Sequence, residues 1–326
     1  MKKITTKKTI NNENFNHEAT EKLKLICKKY LDQESYDLLG KKIFEVVTDL
    51  IKKGANVNVK DAYGRTILHR FAELGAANFI KFLINNGAEV NLQDYNGNSP
   101  LLFAKDKKTA KILLDNGANI NLQNKKGETA LMLSSSLDKT NFELAKFLIE
   151  SGADLDIKDN SQTSALGYAV NANDVAIVEL LIKAGADLNS QDKHKQSPLI
   201  IAVYNGYNEI AKVLVKNGAN LDLQNQVGYT ALMVCADHDN YEIAKVLIEN
   251  GANLDLQNKR GETALMIALT FIGSTRIAKL LIDKGANLNI KDKDGDTYLA
   301  YCDEEMLSYI ESKQNQKEKN LNEREF

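Results

Sequence analysis

The sequence predicts an all-α chain, a solenoid of stacked helix–turn–helix units joined by short β-hairpin turns. Three observations predict it. A Gly-Ala pair recurs at Gly54, Gly87, Gly117, Gly152, Gly185, Gly218, Gly251 and Gly285, in steps of 33, 30, 35, 33, 33, 33 and 34 residues. An apolar run such as KFLIN, KVLVK, KVLIE or KLLID precedes the pair, and a segment such as ANLDLQN or ADLNSQD follows it. Between the pairs a second register repeats: Asp or Asn, then Ser or Thr five residues on, then Leu two further. A fixed period of roughly 20–50 residues marks units that stack on their neighbours.

Each element of the unit has a physical reason. The turn opens at Asp61, Asp94, Asn124, Asp159, Asp192, Asn225, Asn258 and Asp292. Gly stands three residues later in six of these eight, with Gln162 and Lys195 the exceptions. Asx side chains bond nearby backbone and Gly accepts a positive φ, so this is turn chemistry. The next element opens on Thr66, Ser99, Thr129, Ser164, Ser197, Thr230, Thr263 and Thr297. These hydroxyls suit an N-cap, where they accept an orphan N–H of the first helix. Both prolines of the chain, Pro100 and Pro198, directly follow such a serine. That is the first helical position, where Pro forfeits no hydrogen bond. Leu68, Leu101, Leu131, Leu166, Leu199, Leu232, Leu265 and Leu299 then point to a shared core slot. After a loop comes the apolar second helix, and the Gly of Gly-Ala suits a left-handed residue just past its end. Neither helix can bury its apolar face alone, so the units must stack.

The chain resembles the ankyrin-repeat family. The residues that carry the likeness to its T-P-L-H-x-A motif are Ser99-Pro100-Leu101, Ser197-Pro198-Leu199-Ile200-Ile201-Ala202 and Thr66-Ile67-Leu68-His69. The His survives only as His69; Leu102, Met132, Gly167, Ile200, Met233, Met266 and Ala300 replace it elsewhere. The resemblance covers residues 40–310 and gives eight motif-bearing units within 61–311. Three depart in length. The second has lost three residues around Lys105–Thr109, the third gains two near Ser134–Asn141, and the seventh gains one near Phe271–Ser274. All three changes are read into the inter-helix loop, where length costs little.

Residues 21–60 read as a helical N-terminal cap with a degenerate repeat, since Leu23, Ile26, Cys27 and Tyr30 have helical spacing and Leu50, Ile51 and Gly54 match a unit's second half. The last helix pair is placed at Tyr298–Ile310, with Asp303-Glu304-Glu305 exposed at the end. The polar segments 1–20 and 312–326 are expected to be disordered or frayed.

Composition narrows the function. Lys plus Arg total 42 and Asp plus Glu 44, a net charge of −2, so no overall basic character points to nucleic acid. The N-terminal lysines lack an apolar run behind them, which argues against a cleaved secretory signal. No stretch of eighteen apolar residues exists, so no membrane association is expected. Cys27, Cys235 and Cys302 are sparse and odd in number, which fits a reducing compartment. Cys235 and His238 are three residues apart, but Cys235 fills a slot held by Ala169, Ala202, Ala268 and Cys302 in other units, so it reads as a small core residue. His17, His69, His194 and His238 match no nucleophile–base motif, and His69 reads as a turn-holding residue. No catalytic residue, metal site or cofactor is expected.

The resemblance implies a non-enzymatic, cytoplasmic, monomeric scaffold or adaptor. Its partner protein would meet the hairpin tips and the exposed, concave side of the first helices. Tip and first-helix residues vary between units while the framework does not. Two groups among them are rich in the aromatics and arginines favoured at binding hot spots. One is Tyr63, Arg65 and Tyr95; the other, the expected main surface, is Tyr204, Tyr229, His238, Arg260 and Phe271. The alternative reading is a microbial effector delivered into a host cell without a cleaved signal. A non-catalytic enzyme subunit and a nucleic-acid binder, the latter suggested by Lys125-Lys126, Lys193, Lys259-Arg260 and Lys293 at tips, rank below both.

Overall fold

A computed structural model describes residues 15–29, 36–136, 141–270 and 275–322. Among them no β-strand is assigned; the hairpin turns are bonded loops between helices. No helix of the described residues is long and apolar enough to cross a membrane. The chain divides into two compact units, Met1–Asn160 and Ser161–Phe326.

The first unit opens with α1 (His17–Lys29) and α2 (Tyr36–Lys52). Ala19 and Leu23 of α1 are buried, so helix begins within the stretch expected to be frayed. Next come α3 (Ile67–Glu73) and α4 (Ala77–Asn85), a 3-10 helix (Pro100–Phe103) with α5 (Lys107–Asp115), and α6 (Ala130–Ser136) with α7 (Phe142–Glu150). First helices pack in one row, α3 on the 3-10 helix and that on α6; second helices pack in another, α4 on α5 and α5 on α7.

The second unit repeats the plan with α8 (Ala165–Asn171), α9 (Val175–Lys183), α10 (Pro198–Tyr204), α11 (Asn208–Lys216), α12 (Ala231–Asp237), α13 (Tyr241–Glu249), α14 (Ala264–Thr270) and α15 (Thr275–Asp283). It closes with a 3-10 helix (Tyr298–Tyr301) and α16 (Glu304–Asn322). α8, α10, α12, α14 and the 3-10 helix form one row; α9, α11, α13, α15 and α16 form the other. α16 carries helix through to Asn322, beyond Ile310 and into the polar stretch expected to fray.

The core is the register made solid. Leu166, Leu199, Leu232 and Leu265 of the first helices are at most 1% exposed, as are Leu181, Leu214, Leu247 and Leu281 of the second. Each such side chain contributes about 1.5–3 kcal/mol by leaving water. Leu299, at the same motif position, is 56% exposed. Among the described residues no further repeat follows to cover it.

The caps form at most of the places the motif gives them but not at Ser99 and Thr297, where the 3-10 helices turn the Leu102 and Ala300 N–H groups onto the Ser99 and Thr297 carbonyls at 3.0 Å and the hydroxyls cap nothing. Thr230 accepts from the Met233 N–H at 3.2 Å and Ser197 from the Ile200 N–H at 3.3 Å. Pro198 holds the first turn of α10. The second helices have caps of their own, which the repeat motif does not advertise: Asp106 accepts from the Thr109 N–H at 2.8 Å, Asp174 from Ile177 at 3.1 Å, and Asp303 from Met306 at 2.8 Å.

Length changes correct one expectation. The first helix spans seven residues in α3 and four in the 3-10 helix at Pro100, while three residues, 74–76 and 104–106, link each to its second helix. The second repeat's three missing residues therefore come out of the helix and not the loop. Asp106 fixes the start of α5, so the shortage falls on the only segment without its own stop signal. A full α-turn no longer fits, and the tighter 3-10 form takes its place. The gains in the third and seventh repeats fall at 137–140 and 271–274, outside the described residues. The eighth repeat is cut short in the same way, so Cys302 is not a packed small residue. It follows the 3-10 helix with extended backbone and is half-buried, whereas Cys235 is fully buried.

Candidate protein-binding surface

The hairpin tips are built by one device used repeatedly. In the repeat opening at Asn258, the side-chain Oδ1 accepts from the Arg260 N–H at 2.8 Å and the Glu262 N–H at 3.0 Å. Asp61 does the same for Tyr63 and Arg65, at 2.8 and 2.9 Å. Successive tips then bond to each other. In the second unit Lys193 donates its backbone N–H to the Ser161 carbonyl at 2.8 Å, Gln226 to His194 at 2.8 Å, Lys259 to Val227 at 3.1 Å and Lys293 to Arg260 at 3.0 Å. In the first unit Tyr95 donates to Tyr63 at 3.0 Å, Lys125 to Asn96 at 2.9 Å and Asn160 to Lys126 at 2.8 Å. This close approach explains the turn glycine. Gly228 has φ +85°, and a Cβ there would stand 2.7 Å from the Lys259 nitrogen.

Two side-chain ladders brace the tips from below. Gln224 donates through Nε2 to the Gly228 carbonyl at 2.8 Å and to the Gln257 carbonyl of the next repeat at 2.9 Å. The Asn220, Asn253 and Asn287 N–H groups donate to the Oδ1 of Asn189, Asp222 and Asp255 of the preceding repeat, at 2.8, 2.9 and 2.8 Å. The ANLDLQN segments that the sequence shows as mere repetition are thus the inter-repeat wiring. Tip residues are held in register by backbone, with added side-chain bonds such as Asn160 Nδ2 to the Lys125 carbonyl at 2.9 Å.

The two expected groups differ once placed. In the first unit Tyr63 and Tyr95 are 62% and 59% exposed. Arg65 is not free beside them. Its guanidinium lies over the Phe103 ring at 4.6 Å, with Nε 3.5 Å from Asp94 Oδ2 and Nη1 3.8 Å from Glu73 Oε2. The Nε is buried without hydrogen-bond geometry, so this is ion pairing and stacking only. Arg70, buried, reaches Asp61 Oδ2 at 3.5 Å and Glu73 Oε2 at 3.7 Å. Next to it His69 is fully buried. Its Nδ1 accepts from the Thr66 N–H at 3.0 Å, leaving Nε2–H to donate to the Asn98 carbonyl at 3.0 Å. Burial drives the imidazole pKa down to about 4, against the pull of the Asn98 carbonyl and Asp94, so it is neutral. His69 ties the first turn to the second, and Arg70, buried beside it, belongs to no motif that the sequence shows.

In the second unit Tyr204 is 58% exposed and meets the exposed His238 ring edge-to-face, centroids 5.2 Å apart at 83°. The His238 Nδ1–H donates to the Val234 carbonyl at 3.1 Å. Tyr229 is half-buried, and burial, then the Asp237 and Glu262 carboxylates, push its phenol above the ordinary range, partly offset by Arg260. Arg260 is exposed and, among the described residues, is in no ion pair. Phe271 lies outside the described residues. The second unit thus brings Tyr204 to His238 and Tyr229 to Arg260. Val227, at the tip Gln226-Val227, is 56% exposed; it falls outside both hot-spot groups because an aliphatic residue is neither aromatic nor arginine.

These groups offer recognition chemistry: aromatic edges and faces, and cations. Among the described residues no group of three or more His, Cys, Asp and Glu could hold a metal ion. Burial pushes the Cys235 thiol well above its ordinary range, so it is an inert thiol, and the His238 Nδ1–H is committed to backbone.

Comparison with known proteins bears on what the surface is for. The family model for ankyrin repeats (3 copies) matches residues 39–124, 102–192, 168–258, 199–292 and 250–317. A fowlpox virus protein described as a putative ankyrin repeat protein, FPV244, is 31% identical over 123 residues, 38% of this chain and 18% of its own length. The probable 26S proteasome regulatory subunit p28 of Saccharomyces cerevisiae is 43% identical over 67 residues, 20% of this chain and 29% of its own length. The chain spans less than a third of these curated relatives. The crystal structure of the ankyrin repeat domain of Bcl-3 matches with a TM-score of 0.57 at 26% identity, over 64% of this chain and 94% of that one.

Proposed function

The chain belongs to the ankyrin-repeat family, and from that premise we propose that it is a non-enzymatic adaptor that grips a partner protein through its tips and first-helix ends. Ankyrin repeats are protein-interaction scaffolds, and the finer reading concerns which residues do the gripping. Tyr204, Tyr229, His238 and Arg260 form the main surface, with Phe271 beside them in sequence; Tyr63, Arg65 and Tyr95 form a minor one. Residues 61–311 carry the array and 21–60 cap it. The observation behind the reading is that framework positions are consumed by packing and inter-repeat bonding, while Tyr204, His238 and Arg260 remain exposed. Exposed aromatics and arginines on a rigid support are what binding hot spots are made of.

A pull-down from lysate, followed by affinity measurement on the captured protein, tests this. Alanine at Tyr204, Tyr229 and Arg260 together should weaken binding about tenfold or more with the circular dichroism unchanged. Unchanged affinity sinks the reading. A second reading, an effector acting on host proteins inside an infected cell, draws on viral ankyrin-repeat relatives from fowlpox virus and from mimivirus, the latter 28% identical over 146 residues. Finding the protein in host cytosol during infection would favour it, and its confinement to the producing organism would end it.

A further inference from the structure

We propose, resting on the adaptor reading just given, that the tips of the second unit bind an extended acidic protein segment. Its pattern is a carboxylate, an apolar side chain about three residues on, and a carboxylate pair about three residues further.

The tip sequence sets this order. Successive tips present Lys193-His194, then Gln226-Val227, then Lys259-Arg260, all exposed. Among the described residues neither of these two lysines nor the arginine is in an ion pair, while Lys245, Lys279 and Lys313 on the second helices and α16 are paired with Glu249, Glu305 and Asp283. The carboxylates nearest the tips are mostly turned inward. Asp192 accepts from the backbone N–H groups of His194 and Gln196 at 2.8 and 2.9 Å, and Glu262 accepts from the Asn258 amide at 2.7 Å. The cations are therefore exposed and, among the described residues, not ion-paired, although Glu262 and Asp294 lie nearby. Val227 stands between them, 56% exposed, a hydrophobic step flanked by positive ones.

Spacing fixes the segment's period. Packed helices lie about 8–10 Å apart, and an extended chain advances about 3.3 Å per residue, so one tip corresponds to about three residues of partner. The backbone bonds from Gln226 to His194 and from Lys259 to Val227 hold the three tips in register before binding, so little ordering is left to the partner's arrival. The uncharged Gln226-Val227 tip, with Asp237 and Glu262 close behind Tyr229 and Asp294 at the following tip, interrupts the field that a continuous phosphate backbone would need. That favours a protein segment over nucleic acid.

The test uses the full chain and a fluorescein-labelled peptide with Glu, Leu and Glu-Glu at those intervals in a Gly-Ser background. Anisotropy is read beside a scrambled peptide, a Lys-for-Glu peptide and a labelled oligothymidylate. The acidic peptide should bind and the affinity should fall with salt. Lys259→Glu with Arg260→Glu should raise Kd about tenfold, and Val227→Ser about threefold. Lys125→Glu with Lys126→Glu, at tips of the first unit, should change nothing. Arg260→Gln, with unaltered circular dichroism, guards against misfolding. Equal binding of the scrambled peptide, or tighter binding of the oligothymidylate, overturns the proposal. A captured partner that loses affinity with Tyr204→Ala and Tyr229→Ala, yet keeps it with Lys259→Glu and Arg260→Glu, overturns the acidic segment and leaves the adaptor standing. Loss with neither pair defeats both.

Discussion

The first and second units carry similar aromatic and cationic residues to opposite ends. In the first, Arg65 and Arg70 are drawn into a web with Asp61, Glu73, Asp94 and the Phe103 ring, and His69 is sealed beneath it. In the second, Arg260 and Lys259 face solvent and His238 lies on the surface against Tyr204. The difference follows from the second repeat. Its first helix is a single 3-10 turn, and Phe103 at that turn meets both Arg65 and His69, their ring centroids 5.8 Å apart in the latter case. Cations are spent on holding a shortened repeat in the first unit. The repeats that carry Lys193, Lys259 and Arg260 keep seven-residue first helices, and these three cations are exposed.

The largest expected effect tests whether motif position or burial decides stability. Leu265→Ala should cost about 2–5 kcal/mol, because the side chain is fully enclosed and the cavity cannot close. Leu299→Ala, at the identical motif position, should cost under about 0.5 kcal/mol, because that leucine is mostly in water. Urea titration of the two variants checks this, and equal losses would mean that α16 packs more closely on Leu299 than described.

The web of the first unit should show its character through Arg70→Leu. Asp61 would be left buried without its main counter-charge, at a cost of about 3 kcal/mol. Arg260→Leu in the second unit should fall within about 0.5 kcal/mol of wild type. Hydrogen exchange resolves the units separately, which matters because repeat arrays open locally.

His69 gives the first unit a pH dependence. Its folded pKa of about 4 lies below the ordinary 6.5, so the unfolded chain binds the extra proton between those values. The stabilisation, about 3 kcal/mol for a shift of that size, is complete above about pH 6.5 and is lost as pH falls towards 4. His69→Gln should flatten the stability of the first unit over that window, as urea titrations at a series of pH values would show. Smallest is the effect of Tyr63→Ala with Tyr95→Ala on partner affinity, expected under about threefold if the second unit carries the binding. A larger loss would move the main surface to the first unit.

Much of this could be read from residue spacing. Ser197-Pro198-Leu199 announces a capped helix, and Asn258 with Gly261 announces a bonded turn, because each depends on chemistry within a few residues. The Asn189, Asp222 and Asp255 ladder could not be read, since its bonds join residues about one repeat apart. Nor could the fate of the three missing residues: Asp106 is a clear cap signal, but only packing shows that the helix yields before the loop. For the candidate surface, residue type was legible and availability was not. Arg65 and Arg260 both flank a turn glycine, one after it and one before it, yet Arg65 is tied to Asp94 and Glu73 while Arg260 is exposed.

The sequence by itself determined the period, the turns, the leucine framework and most of the caps, because a repeated unit writes its local physics eight times over, and only packing decided that Ser99 and Thr297 would not cap. The tertiary structure alone decided which equivalent positions remain equivalent. Leu265 is buried and Leu299 is exposed, Cys235 is sealed and Cys302 is half open, because burial and ion pairing depend on what stacks alongside, and a neighbour one repeat away leaves no mark on local spacing.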